Sequence, residues 1–277
     1  MNPTPIRWDD STPLFPPRHA AEELTGTRLQ RRTADGATAV TRLPSGAAPT
    51  LGHLGVLADV AAGQCLSPAL PPGQDVRTIS LHLQLLRPMP EAALVLGDGR
   101  PRHLDADTGL ATAEMTLIDG AAVALSTLRF MRVEATTHVP DPHGRSPLGE
   151  LMVPPDWDES LGSTDSVDDD GTGVQILRPH ERTRNTAGVL HGGLHVRVME
   201  LACRRAAQLP LADGEFRLAD IDVTYHRPLL VDGQSDHRLH GRLIRRGRRI
   251  IVAEAWLEDP RGRLLTQAHA SFTRSSS

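Results

Sequence analysis

Aromatic residues make up only 3% of this 277-residue chain, and cysteines number just two. A core must therefore be assembled from Leu, Val, Ile and Ala. Cys65 and Cys203, both inside predicted helices, are too few for a disulfide framework. No apolar stretch reaches the roughly 20 residues that span a bilayer, so no membrane partner is expected. Met1 to Pro17 is Pro-rich and polar and lacks the apolar core of a secretory signal; a reduced, cytoplasmic setting is the expectation. Net charge is −4 with Arg scattered along the chain and no basic block, which argues against nucleic acid as a partner. What remains is 39% apolar and 23% charged, the balance of a folded globular protein long enough to bury a sizeable core.

The chain repeats itself. Asp75–Pro88 aligns without gaps on Glu215–Pro228, bringing Arg77 onto Arg217, Arg87 onto Arg227 and Pro88 onto Pro228. At the same offset Ala113–Glu114 meets Ala253–Glu254. Past a short insertion Phe130–Arg132 meets Phe272–Arg274, and upstream Val56–Asp59 meets Arg197–Glu200. This collinear order predicts a tandem duplication of one globular module: residues 18–135, a Pro-rich and acidic linker or exposed loop at 136–170, and residues 171–277.

Each copy has the same predicted order. An apolar segment (around Thr27–Leu43 or Thr172–Arg178) precedes a helix over Gly52–Ser67 or Gly192–Gln208, the second stopped by Pro210. Alternating strands follow: Ile79, Leu81, Leu83 and Leu85 in one copy, Ile221, Val223 and Tyr225 in the other. Further strands are expected at Ala111–Ile118, Val123–Val133, Ile250–Leu257 and Leu264–Thr273. The fold class is α+β, with a long helix wrapped by a curved antiparallel sheet in each copy.

Asn185, His191-Gly192-Gly193 and Glu200 stand in sequence at the start of the second helix. The first N–H groups of a helix lack intrahelical partners, and aligned peptide dipoles favour negative charge there. A glycine at that point lets a carbonyl approach the backbone. Such an N–H suits an oxyanion, and losing one oxyanion donor costs about 3–4 kcal/mol of transition-state stabilisation. This set resembles the hotdog-fold acyl-CoA thioesterases of the phenylacetyl-CoA thioesterase type, in a tandem double-hotdog form, over nearly all of each half. The resemblance implies hydrolysis of an acyl-CoA or acyl carrier protein thioester without metal or redox cofactor, coenzyme A entering only as part of the substrate. It also implies a homodimer of double-hotdog chains.

In that family the site lies between two units. One gives the Asn and the helix-opening Gly; the other gives a carboxylate and often a Ser or Thr on the next strand. Here Asn185, His191 and Gly192 face Asp59 and Thr78, whereas the reciprocal set is Pro44, Thr50 and Leu51 against Glu200 and Leu218. One composite site per chain is therefore expected, with Glu200 as a secondary or degenerate site. The resemblance makes Asp59 nucleophile or general base, Gly192 N–H the oxyanion donor, Asn185 a positioning group and Thr78 a water-orienting hydroxyl.

Plainer readings stand beside these. Asp59 could be a polar helix residue, Thr78 an ordinary strand residue, Asn185 a turn residue, and the glycines a means of close helix packing. His191 reads as a structural residue rather than a proton shuttle. His195, His226, His237 and His240 have no metal-ligand spacing and read as solvated, as does the Asp165–Asp170 run. Arg245, Arg246, Arg248 and Arg249 read as a solvated basic turn, with contact to coenzyme A phosphates as the second reading. The functional alternatives are a non-catalytic acyl-thioester-binding or scaffold protein, or a hotdog hydratase, whose Asp-x-Asn-Pro-x-His context is missing from the sequence.

Overall fold

The helix over Leu51–Leu66 carries almost no polar side chains, and all of it is buried except Asp59 and Gly63. A helix that is apolar all round has to lie in the interior, and this one is packed on both a sheet and a second helix. The computed structural model describes residues 14–15, 18–43, 51–88, 92–135, 163–167, 173–210 and 214–275. In chain order the elements are α1 (Ala20–Thr25), β1 (Arg28–Thr33), β2 (Gly36–Arg42), α2 (Leu51–Leu66), β3 (Gln74–Leu85), β4 (Leu94–Leu104), β5 (Thr108–Leu117) and β6 (Ala122–Glu134). They continue with β7 (Ser163–Val167), β8 (Gly173–Leu177), α3 (Gly192–Ala206), β9 (Phe216–Tyr225), β10 (His237–Arg246), β11 (Ile250–Glu258) and β12 (Leu264–Arg274).

All strands join one antiparallel 12-stranded sheet in the order β1-β2-β4-β5-β6-β3-β9-β12-β11-β10-β8-β7. The order reads the same outward from the central β3–β9 pair in both directions. There Leu81 pairs with Val223, His82 with Asp222 and Leu83 with Ile221. The offset that carries Asp75 onto Glu215 also carries His82 onto Asp222, so the pseudo-twofold axis of the repeat passes through that pair. The correspondence between the two strands extends to a β-bulge. Register slips at Ile79, between Thr78 and Ser80 on β3, and at the equivalent Ala219, between Leu218 and Asp220 on β9.

Strict alternation decides which face is covered. On β6, Ser126, Leu128 and Phe130 are buried while Leu125, Thr127, Arg129 and Met131 are exposed; on β12, Ala268, Ala270 and Phe272 are buried. The matched pair Phe130 and Phe272 is 2% and 0% exposed, so two of the eight aromatic residues fall at the same point of each copy. Helix α2 lies on β2, β4 and β5, and α3 on β10, β11 and β12. The two helices touch where a Cβ on Gly55 would fall 2.2 Å from the Gly193 carbonyl oxygen.

Two expectations are corrected. The opening apolar segment Thr27–Leu43 is two strands, β1 and β2, whereas Thr172–Arg178 is the single strand β8. Ser163–Val167, inside the stretch taken as linker, has strand backbone paired with β8. A short helix, α1, precedes β1. Among the described residues no helix is long and apolar enough to cross a membrane.

Candidate active site

Helix α3 takes more charged and polar side chains inside than α2, which buries only His53 and Gln64: His195, Arg197, Glu200 and Arg204 are all buried. Each has to find its partner there. Glu200 accepts from Arg197 Nη1 at 3.0 Å and from Arg204 Nε at 2.7 Å. Arg204 also bonds the Pro210 carbonyl and lies 5.2 Å over the Phe272 ring. Glu200 is thus locked in a closed triad. Leu218 and Leu51, from the same reciprocal set, are core residues; Pro44 and Thr50 lie outside the described residues.

Asp59 is placed differently. The Thr78 hydroxyl donates to its Oδ1 at 2.6 Å, and Gly193 N–H, at the start of α3, donates to its Oδ2 at 3.1 Å. A carboxylate from one half therefore sits against the positive end of the other half's helix. Thr78 precedes the β3 bulge, a device that re-aims a side chain beside a site. Gly192 closes the group: a Cβ there would stand 2.7 Å from Asp59 Oδ2 and 3.1 Å from Thr78 Oγ1. Among the described residues no acceptor takes the Gly192 N–H, while its carbonyl accepts from Tyr225 Oη at 2.7 Å.

The two glycines split the two readings between them. Gly193 permits the approach of α2, since its Cβ would lie 2.4 Å from Gly55 and Val56 backbone atoms; Gly192 leaves room for the carboxylate and hydroxyl.

His191 is the N-cap of α3, its Nδ1 accepting from Gly193 N–H at 3.2 Å and lying 3.4 Å from Asp59 Oδ2. Burial pulls its pKa down against the opposing pull of Asp59, which favours a neutral ring with the hydrogen on Nε2. Asn185 Oδ1 accepts from Ala187 and Val189 N–H, making the turn before the helix. That fixes the amide orientation and leaves its NH2 for the cleft.

Three participants escaped sequence reasoning. Tyr225, counted only as a strand residue, anchors the Gly192 carbonyl and packs edge-on to His195, whose Nδ1 meets Thr266 Oγ1 at 3.0 Å. His19 Nδ1 accepts from Thr186 N–H at 3.1 Å, and its ring lies edge-on to His191. Glu22, also from α1, is buried near His19 and accepts from Arg18 N–H. Nothing local marks these residues; proximity in the fold does.

His19, Glu22 and His191 bring ligand-capable atoms within 4.8 Å of one another. In both imidazoles Nδ1 already accepts a backbone N–H, which puts hydrogens on the Nε2 atoms. A cation would have to break those bonds, so the trio does not fit a metal site.

Burial raises the Glu22 carboxyl from 4.5 to about 7, partly opposed by Arg18 and Arg28. The native state therefore keeps a proton that the unfolded chain releases near 4.5, and stability falls as pH rises from about 4.5 to about 7. Glu22→Gln should raise the melting temperature at pH 8 and leave it nearly unchanged at pH 4; thermal melts at the two pH values check this.

His195 and His237 are buried rather than solvated, because α3 and the start of β10 face the core; His240 stacks on Trp256 and His226 is exposed. Burial lowers His195 to about 3, so it stays neutral. The side chains of Asp165–Asp170 lie outside the described residues. Arg245, Arg246, Arg248 and Arg249 form an exposed turn away from the cleft. Both cysteine thiols are buried and free, with Cys65 pushed up to about 12.

A cleft of about 610 Å³ opens onto Asp59, Thr78, Gly192 and Asn185, with Arg18, Arg77 and Arg227 among its lining residues.

Residues 187–266 match the family model described as the thioesterase superfamily. The matched stretch begins just before His191-Gly192-Gly193; the first half, where Thr50 and Leu51 stand in the corresponding places, falls outside it. A search of curated protein sequences finds no match. Among solved structures, a conserved protein of unknown function with a hot dog fold from Alicyclobacillus acidocaldarius is 16% identical, with 94% of this chain and 99% of that one covered and a TM-score of 0.63. The acyl-CoA thioesterase II TesB2 of Mycobacterium marinum is 13% identical, covering 93% and 98%, TM-score 0.61. The tesB protein of Mycobacterium avium subsp. paratuberculosis is 15% identical, covering 90% and 96%, TM-score 0.60. The chain has the hotdog fold.

Proposed function

We propose that this chain is a tandem double-hotdog thioesterase, its modules at 18–135 and 171–277 sharing one composite site that hydrolyses an acyl-CoA or acyl carrier protein thioester. One observation carries the reading: Asp59 of the first half accepts from Gly193 N–H at the start of α3 in the second, beside the Gly192 N–H. The thioester carbonyl oxygen would take the Gly192 N–H, and the Asn185 amide would help to hold it. Asp59, as general base, would draw a proton from a water oriented with Thr78. The hydroxide attacks the carbonyl carbon, the C–S bond breaks, and the thiolate takes the proton that Asp59 drew from the water, leaving a carboxylic acid and a free thiol. Direct attack by Asp59 is the alternative route to the same products. A cytoplasmic homodimer is part of the proposal; exposed Leu125 and Met131 on the outer face of β6 suit a sheet-to-sheet contact.

The test is release of free thiol from a panel of acyl-CoA and acyl carrier protein thioesters. Turnover of at least one member is expected. Tight binding of the panel with no thiol released from any member would instead make the chain an acyl-thioester-binding protein.

A further inference from the structure

The pseudo-twofold axis allows the two clefts to be compared residue by residue. The offset that puts Asp59 on Glu200 puts Gly63 on Arg204, and the matching strands put Val76 on Phe216 and Phe130 on Phe272. In the second half Arg204 is 2% exposed, bonded to Glu200 and laid on the Phe272 ring. Its side chain fills the space one helical turn beyond the carboxylate. In the first half that space has no side chain. A Cβ on Gly63 would meet nothing nearer than Phe130 Cε1 at 3.7 Å and Val76 Cγ2 at 3.9 Å.

Asp59 and Gly63 are also the only residues of α2 outside the buried set. Four positions apart, they share one face of the helix, and both line the cleft. Val60, Val76, Phe130 and Val133 line the part of the cleft around Gly63, its arm beyond the catalytic group, with Gln64 and Arg77 also on the lining. Arg18 and Asp75 pair with each other at 3.5 Å, and Gln64 Oε1 is taken by Arg32.

We propose that this arm is the acyl pocket, that it takes an uncharged apolar acyl chain, and that Gly63 sets its depth. Arg204 is the plug that closes the equivalent space in the other half. The assignment rests on the thioesterase reading. Its chemistry follows from the walls: the amides and phosphates of a pantetheine arm would lose their water against Val and Phe without regaining hydrogen bonds, whereas methylenes gain from the transfer.

The experiment is kcat/KM for saturated acyl-CoAs from acetyl to dodecanoyl, measured on the wild-type chain, Gly63→Ala and Gly63→Leu. Each methylene seated in the arm is worth about fourfold, so the wild type should favour longer chains up to a limit. Gly63→Leu should move that limit to shorter chains and lower the long-to-short ratio at least tenfold, with Gly63→Ala between the two. Alanine adds helix propensity and meets only ordinary contacts, so this variant keeps the test available if the leucine variant does not fold. Turnover with a profile unmoved by both variants overturns the pocket assignment alone. A wild type that releases no thiol from any member, nor from acyl carrier protein thioesters of the same chain lengths, overturns the thioesterase reading and the pocket with it.

Discussion

Asp59→Asn is expected to lower kcat by about 10²- to 10⁴-fold, the range lost with a positioned acid–base group, while the fold stays intact. The asparagine oxygen can still accept one of the two bonds that Thr78 and Gly193 now donate, but it cannot take a proton from water. Glu200→Gln should behave the other way. Arg197 and Arg204 are 7% and 3% exposed at their side chains and share Glu200 as partner. Removing the charge leaves two buried guanidinium groups under-compensated, a loss of roughly 3–5 kcal/mol. In a chain of this length that reads as a melting temperature lower by on the order of 10 °C. Thiol-release kinetics and thermal melts on both variants make the check. Normal turnover in Asp59→Asn with an inactive but stable Glu200→Gln would reverse the assignment of the two halves.

These carboxylates occupy equivalent places in the repeat, and part of their difference is legible in the sequence. Thr50 and Leu51 stand where the second half has His191 and Gly192, so Glu200 has no glycine-opened helix to face. The remainder depends on packing. Arg197 and Arg204 follow the helical spacing of an exposed ion-pair ladder on either side of Glu200, and only the contacts of α3 put that ladder inside. The same holds for His195 and His237, whose polarity suggested solvent until Thr266 and the core surrounded them. Gly63 and Arg204 could be aligned by counting alone, yet the pair means nothing without the Phe272 ring beneath one and the void beside the other.

The aligned stretches Asp75–Pro88 and Glu215–Pro228 fall on the two strands, β3 and β9, that meet at the centre of the sheet. A gapless alignment is what two strands related by a twofold axis require, and the register of β3 on β9 then places the axis at the His82–Asp222 pair. Alternation placed the strands for the same reason, since period two is enough to define a face. It could not show that the first opening apolar segment is a pair of strands, because hairpin partners are chosen by register and not by composition. It was silent on α1. His19 and Glu22 reach the site because the segment before β1 crosses to the loop that ends in His191, a long-range contact with no local signal.

Gly193→Ala, like its partner Gly55→Ala, should be a highly damaging small substitution in the helix pair. Helix propensity favours alanine by about 1 kcal/mol, so an isolated helix would gain. Here the new methyl carbon would lie 2.4 Å from the Gly55 carbonyl carbon and oxygen and from the Val56 nitrogen. Those are backbone atoms of α2 and cannot rotate away; the helices have to part. Overpacking of this kind costs about 1–3 kcal/mol and more where backbone must shift, so a net loss of at least about 2 kcal/mol is expected in denaturant unfolding. Gly192→Ala meets different atoms. Its Cβ would fall 2.7 Å from Asp59 Oδ2 and 3.1 Å from Thr78 Oγ1, both side-chain termini that can turn aside. Stability should hold while the carboxylate and hydroxyl are displaced from the Gly192 N–H, and a shift of about 1 Å in such a group can cost 10²-fold in rate. Unfolding curves and thiol-release rates on the two variants should therefore separate, Gly193→Ala failing in stability and Gly192→Ala in turnover. A Gly193→Ala chain as stable as wild type would mean the helices do not meet there. A fully active Gly192→Ala chain would remove the Asp59–Gly192 contact from the catalytic geometry.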